Sequence, residues 1–135
     1  MKLLLHTDGG ARGNPGPAAV GWVLFTDEER IIDHGSEYLG ETTNNVAEYE
    51  GLIRGLAAAK RRDCDDLDVY MDSELVVKQV IGEYKVKAAH LKELRDRAAD
   101  MLASFEAHSI SHVARSHPRQ ARADQLVNEV LDDQL

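Results

Sequence analysis

The chain has a single cysteine, Cys64, among its 135 residues. One thiol rules out an intrachain disulfide framework and any cysteine-based zinc cluster, and it sets the expectation of a reducing, cytoplasmic location. No apolar run approaches the ~20 residues that a membrane-spanning helix needs, so no membrane partner is expected. The opening Met1-Lys2-Leu3 leads directly into a strand-like pattern, without the architecture of a signal peptide. Repeats, low-complexity tracts and linkers are also missing. The chain is therefore read as one domain over residues 1–135, long enough to bury a core, and as a monomer.

Basic charge is also in short supply. Against 16 Lys and Arg stand 24 Asp and Glu, a formal net charge of −8. Nucleic-acid binding normally rewards the opposite balance. Two features soften that objection. The basic residues are grouped, at Lys60-Arg61-Arg62, at Lys78, Lys85, Lys87, Lys92, Arg95 and Arg97, and at Arg115, Arg119 and Arg122, and local field steers a ligand more than the total does. Carboxylates that hold divalent ions are also neutralised where they stand.

Periodicity sets the element order. Residues 2–8 read as a buried strand, followed by a Gly-rich loop over 9–16 that Pro15 and Pro17 restrict. Val20, Trp22 and Leu24 alternate as a half-buried strand, Asp27-Glu28-Glu29 turns the chain, and residues 31–39 return beside it. Thr42 or Thr43 caps a helix to about Arg61. A strand at 67–71 follows, then a helix to about Ile81 capped by Asp72 or Ser73. A helix at 90–105, a strand at 108–114 and a helix at about 119–133 complete the chain. The order βββαβααβα predicts an α/β fold with an antiparallel start, a parallel half, and helices on the sheet faces. His6, His112, Trp22 and Tyr70 are read as packed residues.

Four carboxylates stand where ordinary surface explains them poorly: Asp8 at the end of an apolar run, Glu48, Asp72 at the end of another strand, and Asp124. Glu48 shares its helical stripe with Leu52, Gly55 and Ala59, whereas its neighbour Glu50 has Arg54 at i+4 on a solvated face. Asp124 shares its stripe with Val127 and Leu131. Singly, each has an ordinary role: a turn-forming Asp-Gly for Asp8, dipole-favoured helix starts for Glu48 and Asp124, an N-cap for Asp72. Jointly, two strand ends and two helix starts can meet at one cleft of an α/β sheet. Carboxylate oxygens suit hard divalent cations, and a pair of such ions drives phosphodiester hydrolysis. His117, in the loop before Asp124, is a candidate for proton transfer near a phosphate.

Thr7-Asp8-Gly9-Gly10, Gly13-Asn14-Pro15-Gly16, Thr43-Asn44-Asn45 with Glu48, Met71-Asp72-Ser73 and Ala123-Asp124 occur in an order and spacing that resemble type 1 ribonuclease H, over about residues 2–132. The resemblance implies a ribonuclease H-like fold with a five-stranded mixed sheet. It implies endonucleolytic cleavage of the RNA strand of RNA–DNA hybrids, leaving 5′-phosphate and 3′-hydroxyl ends. Asp8, Glu48, Asp72 and Asp124 would then hold two Mg²⁺ ions, or Mn²⁺. Gly13, Asn14, Asn44 and Asn45 would lie near the 2′-hydroxyls, and Thr43 with Asn45 near a phosphate of the DNA strand. Glu74 would stand where some relatives place a Gln against the RNA sugar.

Two further departures are visible. Gly82-Glu83-Tyr84-Lys85-Val86-Lys87 passes almost directly into the next helix, where many bacterial relatives carry a basic protrusion; Lys85 and Lys87 are partial substitutes. The family's loop histidine position is Ala114 here, with His117 three residues later. The alternatives are another nuclease of the same superfamily and a hybrid-binding module without catalysis.

Overall fold

Alternation along the first strand divides the molecule into two packed layers. Leu3 and Leu5 join a core with Tyr49, Leu52, Ile53 and Leu56, while Leu4 packs on the other face with Val23, Phe25 and Ala123. Period-2 side chains reach opposite faces of a sheet, so both faces of this strand are covered. The structure, a computed structural model, describes residues 1–134.

The elements are β1 (Lys2–Ala11), β2 (Gly16–Thr26), β3 (Ile31–Thr42), α1 (Asn44–Arg61), β4 (Asp66–Met71), α2 (Glu74–Val80), α3 (Ala89–Ala103), β5 (Ala107–His112) and α4 (Pro118–Asp133). The strands form one five-stranded sheet in the order β3-β2-β1-β4-β5. β1–β2 and β2–β3 are antiparallel, and β1–β4 and β4–β5 are parallel. The mixed sheet and element order agree with the sequence reading. α1 supplies the core of one face, with Val76 and Val77 of α2 and Ala98 and Leu102 of α3. α4 covers the opposite face through Ala123, Val127 and Leu131. Full burial of a Leu-sized side chain contributes about 1.5–3 kcal/mol, so these two layers hold the sheet.

Several local expectations are corrected. β1 does not end at Asp8 but continues to Ala11, with Gly9 and Gly10 in register with Val20 and Ala19. The loop is thus shorter than the Gly-rich stretch suggested. β2 is buried on both faces for most of its length, because α1 packs on one side and α4 on the other. His6 is buried as expected, but His112 is exposed on the edge strand, and Trp22 and Tyr70 are only partly covered. Thr43, not Thr42, caps α1: its hydroxyl accepts from the Val46 N–H at 3.3 Å.

Candidate active site

The register of the parallel pair decides where two of the carboxylates go. Thr7 lies opposite Met71 across β1 and β4, so the next residues, Asp8 and Asp72, stand at the same end of neighbouring strands. The other two arrive on helices that approach the backbone closely. A Cβ at Gly9 would lie 2.1 Å from the Ala47 carbonyl oxygen, so only glycine lets α1 sit this near β1 and bring in Glu48. Gly21, the cross-strand partner of Asp8, is also closely packed: a Cβ there would lie 2.8 Å from the Ala123 carbonyl oxygen. That contact sets α4, and with it Asp124, beside Asp8.

These placements remove the ordinary explanations one by one. Asp8 lies within a strand, not in a turn. Neither α1 nor α4 has an acid in its first turn, so a helix-dipole role does not account for Glu48 or Asp124. Ser73, whose hydroxyl accepts from the Val76 N–H at 3.2 Å, is the cap of α2, which leaves Asp72 without that role.

The site is charge-crowded. Asp8 is only 4% exposed. Burial first, then the charges of Asp72 and Asp124, push its carboxyl up to about 8. Burial likewise pushes Glu48 up to about 7, opposed by hydrogen bonds from Ser73 and Asn44 and reinforced by the charge of Asp72. Asp72 and Asp124 share a guanidinium: Arg115 Nε stands 3.0 Å from Asp72 Oδ2 and 3.9 Å from Asp124 Oδ1. Arg115 is 72% exposed, so it closes the pair from the solvent side. Arg115 escaped the sequence reading except as part of a basic group. Its partner Asp72 lies 43 residues away, and no local pattern announces the pairing.

The candidate substrate residues fall into three groups. Asn14 and Asn44 belong to the cleft's rim: Asn14 Oδ1 accepts from the Asn44 N–H at 3.0 Å, and Asn44 Nδ2 donates to Glu48 Oε1 at 3.3 Å. Asn44 Oδ1 accepts from the Ala11 N–H, tying the end of β1 to the start of α1. Gly13 turns the intervening loop with φ +94°, a backbone region that suits glycine. Thr43 and Asn45 stand at the N-terminus of α1. Glu74 is set apart on α2, exposed and paired with Lys78 at 2.8 Å.

His117 lies in the loop before α4, and its side chain is engaged there. It is the N-cap of α4, with Nδ1 accepting from the Arg119 N–H at 3.2 Å and its ring stacked 5.6 Å from His6. The Pro118 that follows it at the helix start explains this: proline suits the first helical position and fixes His117 just outside. The ring is turned toward the sheet.

An open cleft of about 220 Å³ runs along Asp8, Gly10, Asn44, Arg115, Asp124 and Asn128. A more apolar hollow of about 190 Å³ between β2, β3 and α4 is lined by Val23, Ile31, His34 and Leu126 and holds none of the four carboxylates. Among the described residues no three acidic, histidine or cysteine side chains already enclose a metal-binding point; the carboxylates are spread around the Arg115 guanidinium instead. The donor set nonetheless fits a hard divalent cation. It is all oxygen, and Asp8 is a buried carboxylate crowded by like charge that a cation would relieve.

Arg115 and a cation then compete for the same oxygens. Arg115→Ala is expected to tighten Mn²⁺ binding several-fold, in line with the ~1 kcal/mol upper range of an exposed ion pair. Titration calorimetry measures this directly; unchanged or weaker binding would show that the guanidinium does not compete.

Fold and cleft together define a ribonuclease H-like α/β domain. Residues 6–130 match the reverse transcriptase-like family. Ribonuclease HI of Halobacterium salinarum is 46% identical over 132 residues, covering 98% of this chain and 65% of that protein. Ribonuclease H of Legionella pneumophila is 31% identical, covering 98% of this chain and 92% of that protein. The crystal structure of the Halobacterium RNase H1 superposes with a TM-score of 0.94 at 44% identity, covering 98% and 99% of the two chains. LC11-RNase H1, solved in complex with an RNA/DNA hybrid, superposes with a TM-score of 0.88 at 43% identity, each chain 97% covered. The chain belongs to the ribonuclease H family. It spans about two thirds of the Halobacterium relative's length, and 36% of the length of the bifunctional protein Rv2228c of Mycobacterium tuberculosis, which is 41% identical over 98% of this chain.

Proposed function

We propose that this chain cleaves the RNA strand of RNA–DNA hybrids endonucleolytically, leaving 5′-phosphate and 3′-hydroxyl ends and requiring Mg²⁺, two ions per site, with Mn²⁺ as a substitute. The observation that carries this reading is the convergence of Asp8, Glu48, Asp72 and Asp124 at one end of β1 and β4, with none of them serving an ordinary cap, turn or dipole role. The relationship to LC11-RNase H1, solved with an RNA/DNA hybrid, supports the substrate class.

Asp8, Glu48, Asp72 and Asp124 would hold the cations. When bound, such ions activate the attacking water and neutralise charge at the scissile phosphate and leaving oxygen. The chain's own groups do the rest. The Asn44 amide holds one oxygen of Glu48. A carboxylate has further lone pairs, so Glu48 can also accept a ribose 2′-hydroxyl, a donor that DNA lacks. Asn14 uses its carbonyl oxygen on the Asn44 N–H, which leaves its amide NH₂ to donate to a sugar oxygen. Thr43 accepts from Val46 through its hydroxyl oxygen and keeps the hydroxyl proton for a DNA-strand phosphate. Together with Asn45 it stands at the positive end of the α1 dipole, where an anion is favoured. Glu74, its charge offset by Lys78, serves the RNA sugar as an acceptor. His117 caps α4 through its Nδ1, and the proton transfer it is a candidate for would fall to its Nε2.

The direct test is a labelled hybrid, a DNA duplex and an RNA duplex incubated with and without Mg²⁺. Hybrid cleavage that stops on chelation is expected. Hybrid binding without cleavage would leave a binding module, and equal cutting of the DNA duplex would move the chain to another nuclease branch. Within the active protein, Asn14→Ala is expected to raise KM about fivefold with kcat little changed, as for one lost hydrogen bond of ~1 kcal/mol. Asn44→Ala should lower kcat as well, because it also releases Glu48. A pure KM effect for Asn44→Ala would contradict the orienting role.

A further inference from the structure

A buried polar side chain needs a partner for each of its groups, and Gln120 has them in an arrangement with only one consistent reading. It is fully buried in the first turn of α4, one turn before Asp124. Its Nε2 donates to the Thr7 carbonyl oxygen at 2.8 Å, the residue next to Asp8. The amide orientation is thereby set, and Oε1 must be an acceptor. The 2.9 Å contact to His6 Nδ1 therefore has the imidazole N–H donating. His6 Nε2 is left with a lone pair, and Arg119 Nε, which can only donate, meets it at 3.0 Å. Arg119 is paired in turn with Glu29. The imidazole cannot swing away: it stacks on Tyr70 at 4.8 Å and on His117 at 5.6 Å, with Phe25 edge-on at 5.6 Å.

We propose that Gln120 is a positioning residue that sets Asp124 against Asp8, through a hydrogen-bond chain that His6 and Arg119 complete. The inference rests on the reading that these two carboxylates share a cation. Close packing at Gly21 and the apolar contacts of Ala123, Val127 and Leu131 seat α4 on the sheet. Hydrogen bonds add a directional tie to that seat. Gln120 grips β1 one residue before Asp8, and one helical turn carries that register on to Asp124. A site that binds cations through oxygens from two separate elements needs them held within about 0.5 Å, which this tie supplies.

The test is Mn²⁺ titration calorimetry on the intact chain, with circular dichroism and thermal melting as fold controls. Gln120→Leu preserves size and removes both bonds; its dissociation constant for Mn²⁺ is expected to rise roughly ten- to hundredfold, as for lost outer-shell support at metal sites. It also leaves His6 Nδ1–H unpaired and so lowers stability. A second variant, His6→Phe with Gln120→Leu, replaces both side chains by apolar ones and should recover much of the melting temperature without restoring the tie. Weak Mn²⁺ binding that persists in this double variant supports positioning. Recovery of wild-type binding along with stability would overturn it, reducing the network to packing. Asp8→Asn separates the two levels of the argument: if it binds Mn²⁺ as the wild type does, the cleft is not the cation site and the proposed function itself falls.

Discussion

Asp8→Asn is expected to lower hybrid cleavage by 10³-fold or more while leaving the fold intact. The loss corresponds to several kcal/mol of transition-state stabilisation. An amide keeps the shape of the carboxylate but loses the negative charge that holds a divalent ion. Asp8 is the most enclosed of the four, 4% exposed and flanked by Asp72 and Asp124, so no mobile side chain can take its place. Glu48→Gln and Asp72→Asn should behave alike, since Glu48 is largely covered and the Asp72 side chain is 7% exposed. Asp124→Asn should retain more activity, because its side chain is 28% exposed and Asn128 Nδ2 at 3.3 Å can steady a replacement. The activity loss should come with a gain in thermal stability of the metal-free protein, as repulsion at a buried site is relieved. Wild-type rates in the Asp8, Glu48 or Asp72 variant would sink the assignment.

What could be read from the sequence was whatever is written in local pattern. The strand alternations, the helix stripe of Glu48, Leu52, Gly55 and Ala59, and the Thr43 cap all follow from neighbours within a turn or two. The five-stranded mixed sheet followed from resemblance and the meeting of the four carboxylates from their places at strand ends and helix starts, while the strand order β3-β2-β1-β4-β5 came only with the structure. Pairings across the fold were not legible. Arg115 with Asp72 spans 43 residues, and Gln120 with His6 spans 114; each depends on the register of the parallel strands and the seating of α4. The Gly-rich stretch misled in one respect, because Gly9 reads as loop but is strand. It is glycine for the passage of α1, a constraint that comes from tertiary contact and leaves no local signature. His117 lies in the loop before α4 as read, and what the local pattern did not show is that its side chain caps the helix begun at Pro118.

Stability of the metal-free protein should fall as pH rises from about 6.5 to 8, and divalent cations should restore it most at the upper end. Asp8 and Glu48 are raised from their ordinary 3.8 and 4.5 to about 8 and about 7. A raised carboxyl keeps its proton in the native state when the unfolded chain has already lost it. Its contribution is therefore fully present below about pH 4 and is lost as pH climbs through the folded value. His6 works in the other direction. Burial pushes it down to about 4 from 6.5, so its effect favours folding as pH rises over that interval and offsets one carboxyl there. Above about pH 7.5 His6 is neutral in both states, and between 6.5 and 7.5 its fading titration in the unfolded chain offsets only a small part of the decline due to the two carboxyls. At 1.36 kcal/mol per proton per pH unit, one to two protons over this window give a loss of about 2 kcal/mol. For a chain of this size that is on the order of 5–10 °C in melting temperature. Asp8→Asn should flatten the curve between pH 7 and 8 while leaving the part due to Glu48. Mg²⁺ should raise the melting temperature more at pH 8 than at pH 6, because a cation binds the ionised carboxylates and must displace protons at the lower pH. A metal-free melting temperature that rises between pH 6.5 and 8, or a Mg²⁺ effect independent of pH, would show that these carboxylates are neither strained by burial nor the cation's ligands.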